Sequence, residues 1–123
     1  MINKVILTGR LTADPELRYT TNGVPFTIFT LAVDRIYTNS EGERDTDFID
    51  IMTWRKLAES CAQYLSKGSL VAVDGRLQIR KNKKDEKTYI NPEVVAANVQ
   101  FMDFRGNKDE NKEFAEVEET LEV

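Results

Sequence analysis

The sequence predicts a small all-β domain with one helix, followed by an acidic tail. Apolar and polar residues alternate at period two through most of five segments that are rich in β-branched and aromatic residues. One segment switches to a helical period. The chain has 123 residues, 41% of them apolar and 31% charged, so it can build one core but has no room for a second sizeable domain.

Two strands are expected before the first long loop. The first covers residues 4–11; its even positions, which include Lys4 and Arg10, form a partly basic outer face. An Asn22-Gly23 pair then favours a tight turn, because it tolerates positive φ angles. The second strand is expected over residues 25–38.

The third strand, about residues 46–54, has an informative alternation. Its apolar odd positions are aliphatic, whereas Phe48 and Trp54 take even positions with Asp50 between them. An unpaired carboxylate is costly in a core. The even face, which also includes Met52, is therefore predicted to face solvent.

A helix and a fourth strand follow. An apolar stripe at helical spacing predicts a helix over residues 55–66, with Gly68 as its terminator. The fourth strand is expected over residues 70–80, and its alternation places Leu77 and Ile79 towards the core.

The fifth strand ends the domain. A basic loop at residues 81–87 leads to it, and it is expected over residues 88–104. Pro92 should interrupt its pairing and mark a bulge or an edge position, and Gly75 in the fourth strand should mark a bend.

This order of elements is that of the OB-fold, a five-stranded barrel with one helix between strands three and four. An immunoglobulin-like or other small barrel could share five strands, but the position of the helix favours the OB-fold. We expect the domain to cover residues 1–104, which carry 14 basic and 14 acidic side chains. Residues 105–123 carry 3 basic and 7 acidic ones and are expected to form a flexible tail.

The composition disfavours several classes of function. The chain has no histidine and a single cysteine, Cys61, so Ser-His and Cys-His catalysis and a cysteine-rich zinc site are excluded. No membrane span, signal peptide or phosphate-binding glycine motif is present. Asp45, Asp47 and Asp50 could hold Mg²⁺ in a nuclease, but a regular strand puts Asp50 on the opposite face. We expect a cytoplasmic protein that is not an enzyme and needs no cofactor.

Aromatic and basic residues instead predict binding to single-stranded nucleic acid. Bases of any identity stack on flat rings, and cations attract the phosphates. Phe48 and Trp54 provide two rings on one strand face, although core packing of either ring alone is about equally common. Further members are expected at the ends of strands two and four: Arg35, Tyr37, Arg76, Arg80 and Lys81. Of these, Tyr37 has core parity and needs a bulge or a frayed strand end to join the face.

Several runs of the sequence resemble the bacterial and phage single-stranded DNA-binding protein family. They include NKVILTGRL at 3–11, DPELRY at 14–19, TLAV at 30–33, WRKLAE at 54–59, YLSKGS at 64–69, VDGRL at 73–77 and EVVA at 93–96. The resemblance covers nearly all of residues 1–104. It implies an OB-fold that assembles as a homotetramer and binds single-stranded DNA, which it coats and protects during replication, recombination and repair.

The resemblance also implies roles for residues at matching positions. Stacking rings are expected at Tyr37, Phe48 and Trp54, and cations near the DNA at Lys4, Lys56, Lys67, Arg80 and Lys81. Asn82 stands where the family commonly has Trp or Tyr, so that ring is missing or is supplied by Tyr89. The tail ends without the Pro-Phe tip with which cellular members recruit replication and repair enzymes, so a phage-encoded or accessory member is a reasonable expectation.

Other readings stay open for the tail and for the whole chain. Phe114, Val117 and Leu121 have the spacing of a short amphipathic helix that would dock on a replication or recombination protein, although a solvated acidic tail is the simpler reading. The competing function is a protein-interaction OB module of the primosome-adaptor kind, without DNA binding. A metal-dependent nuclease is a distant third.

Overall fold

The computed structural model describes residues 1–102, which form one six-stranded sheet and one helix. The elements are β1 Val5–Leu11, β2 Glu16–Tyr19, β3 Pro25–Thr38, β4 Arg44–Trp54, α1 Arg55–Tyr64, β5 Leu70–Lys84 and β6 Lys87–Phe101. The sheet order is β1-β5-β6-β4-β3-β2, and a further pairing of β1 with β3 closes a five-stranded barrel. With its helix between β4 and β5, this barrel is the predicted OB-fold.

The inward positions of the strands fill the barrel with aliphatic side chains. Since successive residues of a strand point to opposite faces, the period-two pattern sends one half of each strand inside. The fully buried aliphatic residues are Leu31, Ile51, Val71, Val73, Val94 and Val99. The helix packs Leu57 and Cys61 against the same core, as does Leu65 directly after it, so the apolar stripe has the predicted role.

Two glycines allow backbones to approach closely. A Cβ on Gly9 would collide with the carbonyl oxygen of Ala32, next to the point where β1 meets β3. A Cβ on Gly75 would collide with the carbonyl oxygen of Val95, where the register of β5 against β6 shifts. Gly75 therefore lies at an irregularity, as its position in the strand suggested.

The short strand β2 was not predicted. Its four residues, Glu16–Tyr19, are too few for a periodic pattern to be distinctive, and they become a strand by pairing with the start of β3 at the edge of the sheet. The helix is also shorter than expected. It ends at Tyr64 because Leu65 adopts an extended backbone, and Gly68 follows with a φ of 89°.

The segment predicted as a basic loop is a β-hairpin. Lys84 pairs with Lys87, and the two turn residues Asp85 and Glu86 have φ angles of 53° and 64°. We call residues 79–91 the hairpin arm; they are all exposed, and here β5 and β6 pair only with each other. The loop prediction was wrong because cross-strand pairing extends the strands beyond the barrel.

Two residues predicted to point towards the core, Ile79 at the start of the arm and Leu77 just before it, are exposed instead. Leu77 and Ile79 are 44% and 45% exposed, although their parity is that of the buried Val71 and Val73. The alternation continues past the barrel, but no core lies beneath it there. Pro92 pairs opposite Ile79 without breaking β6, on a stretch whose other edge has no partner strand within residues 1–102.

Candidate nucleic-acid interface

The register of β3 against β4 places the two predicted rings on the outer face of the barrel. Phe48 and Trp54 share one face of β4, and Phe48 is 68% exposed. Asp50, between them, points out as predicted and accepts a hydrogen bond of 3.0 Å from the Thr30 hydroxyl. An exposed, hydrogen-bonded carboxylate at this position avoids the cost of a buried charge.

Met52 shares this face but is only 3% exposed, so the expectation that it faces solvent was wrong. Arg80, from the hairpin arm, places its Nη2 atom 3.6 Å from the Met52 sulfur. The same Nη2 donates to Oε1 of Glu93 on β6 at 3.2 Å. Side chains of neighbouring strands therefore cover Met52 in the middle of the face. The alternation within β4 does not reveal these neighbours.

Trp54 is half-buried, because it has an aromatic neighbour that the sequence pattern did not reveal. Its ring centroid lies 5.4 Å from that of Phe26, with the planes tilted by 37°. Phe26 is directly opposite Trp54 in the β3–β4 register. Neither residue belongs to the buried core cluster. In the sequence, the even position of Phe26 in the second predicted strand, which is β3 in the structure, was the one signal that this ring faces outward.

Tyr89 lies on the hairpin arm, opposite Asn82. It is 49% exposed. Its parity on β6 is that of Val95, which pairs with Met52 of β4, so Tyr89 extends the face that carries Phe48 and Trp54. We call Phe26, Phe48, Trp54 and Tyr89 the aromatic face. The arm thus offers a ring beside Asn82.

Tyr37 lies near the end of β3 and is 65% exposed. The register of β3 against β4 shifts between Asp34 and Thr38, so Tyr37 sits inside an irregular stretch of the strand. This is the bulge that its core parity required. The nearby Arg35 is occupied by carboxylates.

Two of the predicted cations are paired at the surface. Arg35 contacts Asp47 at 3.0 Å and Asp45 at 3.8 Å. The hydrogen bond between Arg35 and Asp47 lowers the pKa of Asp47 and raises that of Arg35. Lys4 contacts Asp74 at 2.7 Å. These pairs are exposed, and pairs of this kind hold weakly in water.

Arg80 is held more firmly than the other paired cations. Its partner Glu93 has a side chain only 8% exposed, against 44% for Arg80 itself, and Gln78 donates to the same carboxylate oxygen at 3.2 Å. If Arg80 left, Glu93 would remain a buried charge without a cation, which is strongly unfavourable. Arg80 is therefore fixed in place over Met52.

Within residues 1–102, three predicted lysines have no side-chain hydrogen bond or ion pair: Lys56, Lys67 and Lys81. Lys56 follows Trp54 by two residues, in the first turn of the helix. Lys67 lies in the turn before β5, and Lys81 points to the reverse side of the arm, opposite Ile90. Of these three lysines, Lys56 is the nearest in sequence to Trp54.

The other predicted basic residues lie apart from Trp54. Lys4 precedes β1, and Arg10 lies near the end of β1, opposite Ala32 of β3. Ala32 pairs in turn with Phe48 of β4, so only β3 separates Arg10 from Phe48. Arg10 donates to the Gly68 carbonyl at 2.8 Å. Arg76 donates to Gln78 and lies opposite Val95, so it borders the covered centre of the face.

Several expectations concern features that the structure addresses only for residues 1–102. No group of three or more histidine, cysteine or acidic side chains there could hold a metal ion. No helix in the same range is long and apolar enough to cross a membrane. Phe114, Val117 and Leu121 lie outside the described residues.

The closed barrel, with rings and cations on one outer face, places this protein in the OB-fold class with a candidate ligand surface on β3, β4 and the hairpin arm. Residues 2–102 match the Single-strand binding protein family. The chain belongs to that family.

Individual relatives agree with this assignment. A protein of Halalkalibacterium halodurans named Single-stranded DNA-binding protein is 53% identical over 110 residues, or 88% of this chain and 65% of its own length. Single-stranded DNA-binding protein A of Bacillus subtilis is 53% identical over 105 residues, or 84% of this chain and 60% of that protein. Single-stranded DNA-binding protein 1 of Staphylococcus aureus is 52% identical over 115 residues, or 92% of this chain and 72% of that protein. The chain thus spans less than two thirds of the first two relatives.

Proposed function

We propose that this protein binds single-stranded DNA without sequence preference, and that it coats and protects exposed strands during replication, recombination and repair in the bacterial cytoplasm. The observation that carries the proposal is the aromatic face: Phe48 is 68% exposed and shares the outer face of β4 with Trp54, and Lys56, two residues further on, has no side-chain partner within residues 1–102. The names of the relatives support the same function.

The proposed mechanism needs no chemical step. Unpaired bases stack on the rings, and each stack contributes about 1–3 kcal/mol irrespective of base identity. Lysines along the path attract the phosphates, and binding releases the cations condensed on the DNA. By mass action, coating draws DNA from the paired into the unpaired state, so neither a cofactor nor ATP is required.

Self-association as a homotetramer is part of the proposal. β1 pairs with β5 along its length but with β3 only at Arg10 and Leu11, so the remaining edge of β1 has no partner strand within residues 1–102. Ile6, on the outer face of β1, is 69% exposed. A free strand edge beside an exposed apolar side chain is suited to pairing with another chain. Recruitment of replication or recombination proteins by Phe114, Val117 and Leu121 is proposed from the sequence pattern.

Replacing the rings tests the binding surface. Phe48→Ala and Trp54→Ala should each weaken oligo-dT binding by about 1–3 kcal/mol, because each removes one stacking platform. Binding is measured by fluorescence anisotropy of labelled oligo-dT. Tyr19→Ala is the matched control, since Tyr19 is 61% exposed but lies outside the aromatic face.

The alternatives predict different results in the same experiments. A protein-interaction module would leave the emission of Trp54, the single tryptophan, unchanged on addition of poly-dT, whereas stacking quenches it. A nuclease would shorten labelled single strands in the presence of Mg²⁺. Unchanged affinity in both ring variants would contradict the proposed binding surface.

A further inference from the structure

We propose that Phe26 contacts DNA bases directly, and that Phe26 and Trp54 form one aromatic surface that extends the interface across β3 towards β2. This inference rests on the proposed function. It adds a residue that was not among the predicted binding residues, and it assigns part of the DNA path to a neighbouring strand.

The strand register defines the direction of this extension. Phe26 lies opposite Trp54 on one side and opposite Arg18 of β2 on the other. Residues directly opposite in an antiparallel pair point to the same face. Arg18, Phe26 and Trp54 therefore form a row across three adjacent strands on the outside of the barrel.

Burial shows that Phe26 is not a core residue. Thr27 and Phe29 take the inward positions beside it and are 0% and 4% exposed, whereas Phe26 is half-buried and outside the core cluster. The tilt of 37° and the centroid distance of 5.4 Å keep the two rings adjacent instead of stacked face to face. Together they present a wider apolar surface than Trp54 alone.

A cation at the β2 end of the row suits a phosphate backbone. The Arg18 side chain is 66% exposed, and its partner Glu16 is 72% exposed at 2.8 Å. An exposed pair of this kind contributes little to stability, and Arg18 has one carboxylate partner where Arg35 has two. Lys56 follows Trp54 by two residues along the chain, in the first turn of α1. A strand whose bases lie on Phe26 and Trp54 would therefore meet Arg18 at the β2 end of the row.

Three variants of the full chain test the role of the ring. Phe26→Leu keeps an apolar side chain but removes the flat surface, and it should weaken oligo-dT binding roughly fivefold, at the lower end of the range for one stack. Phe26→Tyr keeps the ring and should bind like the wild type. Tyr19→Leu is the control, because Tyr19 alternates with Arg18 and points to the other side of β2.

Cross-linking separates direct contact from mere support of Trp54. With p-benzoylphenylalanine at position 26, irradiation should join the protein to labelled oligo-dT, and the same group at position 19 should not. Weak binding by Phe26→Leu without cross-linking at 26 would overturn the inference, as would wild-type affinity in Phe26→Leu. If the wild-type chain failed to bind oligo-dT, the proposed function would fall as well, so the two failures are distinguishable.

Discussion

Side chains with similar chemistry have different freedom in this protein, because their neighbours differ. Lys56 has no partner among residues 1–102, whereas Arg35 is shared by Asp45 and Asp47, and Arg80 is fixed over the buried Glu93. A free cation can neutralise a phosphate without giving up another partner. We therefore expect the predicted basic residues to contribute unequally to DNA binding.

This inequality should appear in the salt dependence of binding. Lys56→Met should reduce the slope of log K against log salt by about 0.7, the value for one phosphate neutralised on a single strand. Removing a whole pair, in Arg35→Met/Asp47→Asn, should leave the slope close to that of the wild type. The measurement is a titration of oligo-dT at several salt concentrations. A larger change in the double variant than in Lys56→Met would contradict this assignment.

Cys61 makes the stability of the fold sensitive to alkaline pH. Burial raises the pKa of its thiol from an ordinary value of 9.0 to about 12, despite a hydrogen bond with Thr53. A raised folded-state pKa favours the folded protein below pH 9.0, and this contribution is lost as pH rises towards 12. The loss should be about 1.4 kcal/mol per pH unit. Urea unfolding of the wild type and of Cys61→Ala at several pH values isolates this loss, since the free energy of unfolding of the variant should fall less steeply with pH. Parallel pH profiles of the two proteins would contradict this role of Cys61.

At the scale of whole elements, the hairpin arm departs furthest from expectation. Leu77 and Ile79 continue the strand alternation of β5 towards the arm, but alternation alone does not distinguish a strand that packs on a core from one that extends beyond the core. The two-residue turn of the hairpin was not predicted, for a different reason. Asp85 and Glu86 both adopt positive φ, which Asn-Gly pairs favour and which Glu rarely adopts.

Relieving the backbone strain at Glu86 should make opening of the hairpin arm rarer. Glu86→Gly removes the contact between Cβ and backbone that positive φ imposes and should stabilise the hairpin by about 1 kcal/mol. Hydrogen exchange of the amides of residues 83–88 should slow roughly fivefold, whereas Glu86→Val should accelerate it. Equal exchange rates in the three proteins would show that the turn does not limit opening of the arm.

At the scale of the whole molecule, closure of the barrel leaves part of the edge of β1 without a partner strand among residues 1–102. β1 reaches β3 at only two positions, and Gly9 permits the close approach beside them. The free part of β1 carries Ile6, and the proposed homotetramer would cover it.

Ile6→Glu should therefore lower the mass measured by light scattering. A charge placed at an apolar contact between copies remains unpaired there and opposes association. Ile36→Glu is the matched control, because Ile36 is 91% exposed at the far end of β3. Both variants should retain the thermal stability of a folded barrel. A wild-type mass near the 14.1 kDa of one chain would refute the tetramer outright.

The sequence by itself determined the barrel strands, the place of the helix, and the outward direction of Phe48 and Asp50, because all of these follow from local alternation. The tertiary structure alone decided the rest. It paired β2 with β3, placed Phe26 beside Trp54, covered Met52 with Arg80, and carried the arm beyond the core. Each of these depends on a neighbour distant in sequence, and a periodic pattern records on which side a residue points but not what it meets there.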